Sequence, residues 1–209
     1  EDGIRDLVRS RGLGDVYKRQ DVDNAISMAV DTVRFLKENN RKVFFDAEHF
    51  FDGLKENAEV TLKILDSVVK EGVECFIFCD TNGGTLPHEV TELLNPIIEK
   101  YPNQEFGVHF QNDNGCAVTN SLAAVNLGVK HVQVTMNGYG ERTGNADLCT
   151  LLPNLSLKMN LETVPEKSLE KLTPIANHIA ELVNIAIDSR HPYVCLLYTS
   201  DAADEEDSV

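Results

Sequence analysis

Apolar and polar positions repeat in blocks along most of the chain, beginning near Asp23. In each block, apolar residues at helical spacing are followed by a short and nearly continuous apolar run. The four runs are RKVFFDAEHF, CFIFCD, EFGVHF and KHVQVTM. Continuous runs of this kind are typical of parallel strands whose faces are covered by helices. The pattern therefore predicts alternating helices and strands, with four strands in a parallel sheet.

The helices between these strands are predicted from apolar residues three and four positions apart. Gly72 and Gly128 follow two of them, and Pro87 begins another. After Asn145 the pattern becomes mainly helical. The predicted apolar faces are, in chain order, Ile26, Ala29, Val30, Val33 and Leu36; Ala58, Leu62, Leu65 and Val69; Val90, Leu93, Leu94, Ile97 and Ile98; Val118, Leu122 and Val125; and Leu169, Leu172, Ile175, Ile179, Leu182 and Val183.

Two architectures share this rhythm, an open doubly wound sheet and a closed barrel. An open sheet that binds a dinucleotide should carry G-x-G-x-x-G after a strand, and the glycines of NGYGERTGN have a different spacing. Each predicted strand instead ends in a polar residue, at Asp46, Asp80, His109 and Thr135. A barrel builds its site from such strand ends, and a complete one needs about 200 residues or more. We therefore predict the α/β class and a partial TIM (β/α)8 barrel, roughly its last four strands with their helices, followed by a C-terminal helical segment.

The two ends of the chain do not share the periodicity. Tyr17 to Gln20 can be encoded by TATAAGAGACAG, whose reverse complement, read in another frame, begins Cys195-Leu196-Leu197-Tyr198. Both ends thus resemble translated adapter DNA from sequencing libraries more than a natural arm and tail. We expect a disordered artefact in residues 1–20, the C-terminal half of a TIM-barrel catalytic domain in residues 21–160, a helical segment in residues 161–194, and a second artefact in residues 195–209.

Composition narrows the possible partners. The formal net charge is −15, and an acidic surface argues against nucleic acid and anionic membranes as partners. No apolar run reaches membrane-spanning length and no signal peptide is visible, so we expect a cytoplasmic protein. The cysteines inside the periodic region show no metal-ligand spacing and are expected to be buried free thiols. They are Cys75, Cys79, Cys116 and Cys149.

The first strand ends in DAEHFFDG, where Asp46 and Glu48 alternate onto one face. Glu48 is a candidate general acid or base, because burial among the neighbouring phenylalanines would suit a carboxyl group to proton transfer near neutral pH. The alternative is an ordinary surface carboxylate. His49 alternates to the opposite face, and we expect it to be structural.

The later strands end in further polar groups. In CDTNGG, Asp80 and Thr81 precede two glycines that permit a tight turn, and an Asx-type turn before the next helix is the alternative. In GVHFQNDNG, His109 and Gln111 share one face. An imidazole nitrogen and an amide oxygen can both bind a divalent ion, although a hydrogen-bonded core pair is the commoner outcome. The glycine-rich segment NGYGERTGN adds Asn137, Glu141, Arg142 and Asn145.

Four blocks, in order, resemble the citramalate synthases: FFDAEHFFDG, CDTNGGTLPHE, HFQNDNGCAVTNSLAA and NGYGERTGNADLCTLLPNL. These enzymes belong with the 2-isopropylmalate and homocitrate synthases and the hydroxymethylglutaryl-CoA lyases, which are metal-dependent TIM barrels. The resemblance runs from about Asp21 to Val194. The block DAEHFFDG favours the citramalate branch over the 2-isopropylmalate synthases.

The resemblance implies an acyltransferase that carries out a Claisen condensation of acetyl-CoA, the co-substrate, with a 2-oxo acid. Pyruvate is the expected 2-oxo acid, which gives (R)-citramalate for isoleucine and leucine biosynthesis. A divalent ion, Mg²⁺ or Mn²⁺ with Zn²⁺ as a further candidate, would chelate the 2-oxo acid, and the full-length protein would be a homodimer. The implied roles are catalysis for Glu48 and Arg142, substrate binding for Asp46 and Thr81, and metal binding for His109, Gln111 and Asn145.

Two departures from the family's pattern affect these expectations. Gln111 stands where the family's His-x-His-Asn-Asp has its second histidine, and an amide oxygen binds transition metals more weakly than imidazole does. The family's opening strand also carries an Arg-Asp pair whose Asp binds the metal. Ile4 to Asp6 reads IRD, but it lies in the adapter-like end without a strand pattern, so we interpret it as a chance match.

Three readings of the sequence follow. The first is a citramalate synthase, of which this chain is an inactive fragment. The second is another enzyme of the same barrel family, a 2-isopropylmalate synthase or a lyase or aldolase, and the blocks DAEHFFDG and NGYGERTGN weigh against the lyase branch. The third, from a different class, is a non-catalytic fragment. Strand-end residues that this chain does not contain would decide which 2-oxo acid is used.

Overall fold

A computed structural model of the protein describes residues 22–194. These residues fall into two units, one formed by 22–134 with 140–146 and the other by 135–139 with 147–194. The expectations for residues 1–20, including Ile4 to Asp6, and for residues 195–209 lie outside the described residues.

The first unit alternates helices and strands as predicted. Its elements are α1 Val22–Glu38, β1 Phe44–Ala47, α2 Phe50–Lys70, β2 Cys75–Asp80, α3 Pro87–Lys100, β3 Glu105–Phe110, α4 Ala117–Asn126 and β4 His131–Gln133. The strands form one parallel sheet in the order β1-β2-β3-β4. The prediction of four parallel strands is therefore confirmed, and EFGVHF coincides with β3.

The first strand differs from its prediction in length and in burial. RKVFFDAEHF is predicted as one buried strand, whereas β1 contains only four residues. Phe44 is 49% exposed, and Asp46 is exposed as well. The reason is its place at the edge of the sheet, where one face receives less cover than the faces of the central strands.

One face of the sheet packs against the helices and forms the main core. Phe78 of β2 lies at the centre of this core, with its ring 4.7 Å from that of Phe50 and 4.9 Å from that of Phe106. The predicted faces of α1 and α3 are confirmed, and their buried members in the core are Val33, Val90, Leu94 and Ile97. The predicted face of α2 is only partly right, because Leu65 is buried but Ala58 is exposed, and the helix also buries Ile64 and Val68.

The prediction is wrong for the packing faces of two helices. In α4 the predicted residues Val118, Leu122 and Val125 are only half-buried. The buried positions are instead Ala117, Asn120, Ser121 and Ala124. Small side chains let a helix approach a strand closely, and the buried side chains of Asn120 and Ser121 each donate a hydrogen bond to a backbone carbonyl oxygen. The Asn120 Nδ2, for example, donates to the carbonyl oxygen of Thr85 at 2.7 Å.

The opposite face of the sheet is concave, and the sheet is strongly curved. Nε2 of Gln133 on β4 donates to Oδ1 of Asp46 on β1 at 3.0 Å. The rings of Phe44 and His131, on the same two strands, lie 5.2 Å apart. In a flat sheet these edge strands would be about 14 Å apart, three strand spacings. Side chains cannot bridge that distance, so the sheet curls as a barrel wall does.

Gly107 of β3 contributes to this curvature. A Cβ atom at Gly107 would lie 2.9 Å from Cγ1 of Ile77 and 3.0 Å from Cδ2 of His131. A larger residue would therefore push the neighbouring strands apart. The missing side chain lets three strands close around one point of the concave face.

The second unit is mainly helical. Its elements are a 3₁₀ turn at Met136–Gly138, α5 Leu148–Pro153, a π-helical turn at Asn154–Lys158, α6 Glu166–Leu169 and α7 Leu172–Val183. The predicted face of α7 is largely wrong, because Ile175, Leu182 and Val183 are exposed. Of the predicted residues Leu172 is buried, and it packs together with Ala176 and Ala180. Leu172 and Ala176 join Cys149 and Val194 in a small core.

The predictions about cysteines are largely confirmed. The four cysteines of the described region are free, and Cys116 alone among them is not fully buried. Burial raises the pKa of the Cys75 thiol to about 12 and that of the Cys149 thiol to about 11. These thiols stay protonated and unreactive near neutral pH.

Within residues 22–194, no helix combines the length and apolar character needed to cross a bilayer.

Candidate active site

Glu48 and Thr81 meet where β1 and β2 end. Oγ1 of Thr81 donates to Oε2 of Glu48 at 2.6 Å, and the backbone N–H of His49 donates to Oγ1 of Thr81 at 2.7 Å. His49 can do so because its backbone is left-handed, with φ of 57°. The hydroxyl proton of Thr81 is therefore directed at Glu48, and it fixes the orientation of a half-buried carboxylate.

Phe50 and Phe51, which follow Glu48 in the sequence and were expected to bury its carboxylate, pack instead in the core on the helix side of the sheet. His49, expected to be structural, is the N-cap residue of α2, and its Nδ1 lies 3.2 Å from Oδ2 of Asp52. Since Phe50 and Phe51 face the core, Glu48 is oriented by the hydrogen bond from Thr81.

His109, Gln111 and Asn145 come together at the end of β3. Nε2 of His109 and Nε2 of Gln111 are 3.5 Å apart, and Gln111 pairs with Asn145 in an antiparallel β-bridge. Both amide residues are buried, at 9% and 8% exposure. Gly140 makes this approach possible, since a Cβ atom there would collide with the Asn145 side chain. The three residues that the family resemblance implies as metal ligands are thus neighbours at the end of β3.

The donor atoms of this group fit a divalent ion as part of its coordination shell. Nδ1 of His109 and Oε1 of Gln111 are buried, and neither has a hydrogen-bond partner among residues 22–194. Buried polar atoms without partners are costly, and a bound ion or water would satisfy them. The amide of Gln111 can also turn about its last bond and present its oxygen beside the imidazole.

The same group carries no negative charge. Within the described part of the chain, no three His, Cys, Asp or Glu side chains gather closely enough to hold a metal ion. Mg²⁺ and Mn²⁺ prefer oxygen ligands that include carboxylates. The neutral set of His109, Gln111 and Asn145 therefore needs anionic oxygens from elsewhere, such as a substrate carboxylate.

Asp46 lies on the concave face, with a partner that the sequence did not reveal. Gln133 of β4 donates to its carboxylate across the curved sheet. Gln133 is two residues before Thr135, so strand alternation places the two on one face. This alternation could have indicated that Gln133 faces the strand-end residues. Its contact with Asp46, however, joins the two edge strands and follows only from the curvature of the sheet.

Arg142 is engaged by a second residue that the sequence analysis missed. Nε and Nη2 of Arg142 donate to the two carboxylate oxygens of Asp113 at 2.7 and 2.8 Å. This hydrogen bond lowers the pKa of Asp113 and raises the pKa of Arg142. Asp113 therefore stays ionised, and the pair is bidentate.

The remaining polar residues of these motifs serve structure. Asp80 is buried and accepts from the backbone N–H of Thr85 at 3.0 Å. Burial raises its pKa, while the hydrogen bonds from Thr85 act in the opposite direction. This geometry agrees with the alternative interpretation of Asp80 as a turn residue before α3. Asn137 lies in the second unit and donates to the carbonyl oxygen of Ala176 at 2.9 Å, and Glu141 is exposed.

Comparison with known proteins gives relatives with named activities. Five (R)-citramalate synthases are 39–45% identical to the chain. That of Aquifex aeolicus is 45% identical over 83% of this chain and 33% of its own length. A homocitrate synthase of Sulfolobus acidocaldarius is 31% identical over 81% of this chain and 35% of its own length. The chain thus spans about a third of the length of these curated relatives.

Solved structures and a family profile give the fold and the family. The HMG-CoA lyase of Bacillus subtilis superimposes with a TM-score of 0.68 at 20% identity, over 79% of this chain and 57% of the lyase. At this identity the likeness shows the fold alone, and it confirms that the curved sheet and its helices are part of a TIM barrel. Residues 13–179 match the HMGL-like family profile. The chain belongs to the HMGL-like family.

Proposed function

We propose that this chain is part of an acyltransferase that condenses acetyl-CoA with a 2-oxo acid, pyruvate before others, to give (R)-citramalate. The observation that carries the proposal is the higher identity to (R)-citramalate synthases than to homocitrate and 2-isopropylmalate synthases. The likeness to HMG-CoA lyases supports the fold only. It gives no reason to prefer cleavage over condensation.

The reaction requires a base, an electrophilic ketone and an acid. The base removes a proton from the methyl group of acetyl-CoA, the carbanion adds to the ketone carbon of pyruvate, and the ketone oxygen takes up a proton. Water then cleaves the thioester and releases the CoA thiol. Glu48 suits the proton-transfer role, because Thr81 holds one of its oxygens and thereby orients the carboxylate.

The second group of residues would hold the 2-oxo acid through an ion. A Mg²⁺ or Mn²⁺ ion held by His109, Gln111 and Asn145 would polarise the ketone and accept the substrate carboxylate. The neutral charge of these three ligands favours such a chelate, since the substrate supplies the missing anion. Asp46, fixed by Gln133, lies on the same concave face and would contact the substrate.

The test is thiol release from acetyl-CoA by the product of the complete gene, with Mn²⁺ and one 2-oxo acid at a time. We expect kcat/KM for pyruvate to exceed that for 2-oxoisovalerate and 2-oxoglutarate by about tenfold or more. Glu48→Gln should lower kcat by about 100-fold or more. The matched control is Glu92→Gln, at an exposed position of α3, and it should leave kcat unchanged.

Cleavage of hydroxymethylglutaryl-CoA without condensation of any 2-oxo acid would contradict the proposed reaction and assign the chain to the lyases. Full activity of Glu48→Gln would contradict only the proposed role of Glu48.

A further inference from the structure

The side chain of Arg142 connects three loops at the carboxyl ends of the strands. It binds Asp113, in the loop after β3, through two hydrogen bonds. Nη2 also donates to the carbonyl oxygen of Thr81, in the loop after β2, at 2.8 Å. Arg142 itself belongs to the loop 140–146. One guanidinium therefore joins segments that are 29 and 61 residues away in the sequence.

The backbone around this contact is shaped to receive it. Gly83 has φ of +61°, and a Cβ atom there would lie 2.5 Å from Oδ2 of Asp113 and 2.8 Å from its backbone nitrogen. Only glycine leaves room for the Asp113 carboxylate at that point. Arg142 has φ of 52°, a conformation that costs free energy in a non-glycine residue unless its surroundings hold it.

The same loop carries Asn145 to the end of β3. The backbone N–H of Asn112 donates to the carbonyl oxygen of Gly144 at 2.9 Å, and that of Ala146 donates to Phe110 at 3.1 Å. These two bonds flank the bridge between Gln111 and Asn145. The position of Asn145 therefore depends on whether the loop stays paired with β3, and the contact of Arg142 with Asp113 lies three residues before it.

Most of the hydrogen-bond donors of Arg142 are engaged in these contacts. Nε and Nη2 donate to Asp113 and to the Thr81 carbonyl, whereas Nη1 lies 3.9 Å from Oε2 of Glu141, beyond hydrogen-bond distance. The observed geometry serves to hold the loops together.

We propose that Arg142 is a positioning residue: with Asp113 and the Thr81 carbonyl it holds the loop 140–146 against β3 and so places Asn145 beside Gln111. The contact does not depend on a bound ion or substrate. It rests on the loop geometry alone and stands independently of the reaction proposed above.

Hydrogen exchange and side-chain amide signals in the ¹⁵N-labelled 209-residue chain test this inference. The variants are Arg142→Lys, which keeps the charge without the bidentate geometry, and Asp113→Asn, which keeps the shape without the charge. We expect amide protection at Asn112 and Ala146 to fall about fivefold in each, as for an exposed bidentate ion pair. The side-chain amide signals of Gln111 and Asn145 should move, and the double variant should lose no more protection than either single one.

The matched control is Arg34→Lys. Arg34 forms an equally short bidentate pair with Glu71, at 2.7 Å for both bonds, between α1 and the end of α2. Arg34→Lys should lower overall stability about as much as Arg142→Lys does, but it should leave the amide signals of Gln111 and Asn145 in place. If Arg142→Lys does not fold, Asp113→Asn supplies the same comparison. Unchanged protection and unchanged Gln111 and Asn145 signals in the folded variants would overturn the proposal.

Discussion

In the proposed metal site, Gln111 would decide how strongly an ion is held. Its side chain is buried beside His109 and Asn145, and its Oε1 has no hydrogen-bond partner among the described residues. An amide oxygen at that position is a weaker ligand for transition metals than an imidazole nitrogen. As a ligand, Gln111 would therefore bind the ion more weakly than the histidine of the family pattern.

Replacing Gln111 with histidine should strengthen metal binding. We expect Gln111→His to lower the dissociation constant for Mn²⁺ by about tenfold, because imidazole replaces an amide beside His109. Calorimetric titration of both proteins with Mn²⁺ measures the change. Asn95→His, on the exposed side of α3, controls for the added histidine alone. Equal affinities for the Gln111→His and original chains would show that position 111 does not contact the ion.

The sequence predicted some residues of the site better than others. Strand alternation places His109 and Gln111 on one face, and Glu48 is found from its place at a strand end, but the metal-binding role of the first two comes from the family resemblance. Asp113 and Gln133 could not be predicted, because their partners, Arg142 and Asp46, are brought to them only by the folded loops and by the curvature of the sheet. The orientation of Thr81 towards Glu48 likewise depends on the left-handed backbone of His49.

At the scale of elements, Glu74 connects α1, β1 and β2. It lies just before β2, accepts a hydrogen bond from the backbone N–H of Val43 before β1, and accepts another from Nζ of Lys37 in the last turn of α1 at 2.9 Å. The hydrogen bond from Val43, followed by that from Lys37, lowers the pKa of Glu74. The ionised form of Glu74 thus stabilises the start of the sheet.

Glu74→Gln should destabilise the chain in a way that depends on pH. The folded-state pKa of Glu74 is below its unfolded value, so its contribution is fully present above the unfolded pKa and disappears as pH falls through the folded pKa. We expect the variant to unfold at lower urea than the original at pH 7, and the difference to shrink below about pH 4.5. Urea titrations at pH 7 and pH 3.5, with Glu92→Gln as control, measure it. A gap between the two proteins that is as wide at pH 3.5 as at pH 7 would contradict this account.

Helix positions were predicted well, and helix orientations less well. The apolar spacing of α1 and α3 identifies the buried faces because large residues fill the core there, while in α2 it finds Leu65 but misses Ile64 and Val68. In α4 and α7 small residues form the contact instead, since close approach needs little side-chain volume. Periodicity that counts only large apolar residues therefore assigns the wrong face to these two helices.

At the scale of the whole molecule, the sheet is a curved wall with two edge strands. β1 and β4 each pair with one strand among the described residues. Phe35 and Met28 on α1 are 64% and 54% exposed, an apolar surface of the kind that a neighbouring helix covers in a barrel. The described residues therefore form part of a barrel wall, and the chain spans about a third of the length of its curated relatives.

We predict that the 209-residue chain alone has no condensation activity. The proposed ligands His109, Gln111 and Asn145 are neutral, and the loss of groups around a metal commonly costs about 10–100-fold in affinity or activity. The open edges at β1 and β4 should lower activity further, because they leave the concave face open to water. The assay is thiol release from acetyl-CoA with pyruvate and Mn²⁺. Turnover above background that disappears in Glu48→Ala would contradict the prediction.

The central claim is that residues from separate strand ends form one metal site around His109, and Mn²⁺ titration followed by proton NMR tests it most directly. The chain has six histidines, whose ring signals can be assigned by single replacements. Paramagnetic Mn²⁺ broadens the signals of the nuclei nearest to it. We predict that the His109 signals broaden first, below one equivalent of Mn²⁺, while those of the exposed His88 and His178 stay sharp. Sharp His109 signals while His88 or His178 broadens, or no selective broadening at all, would contradict the account.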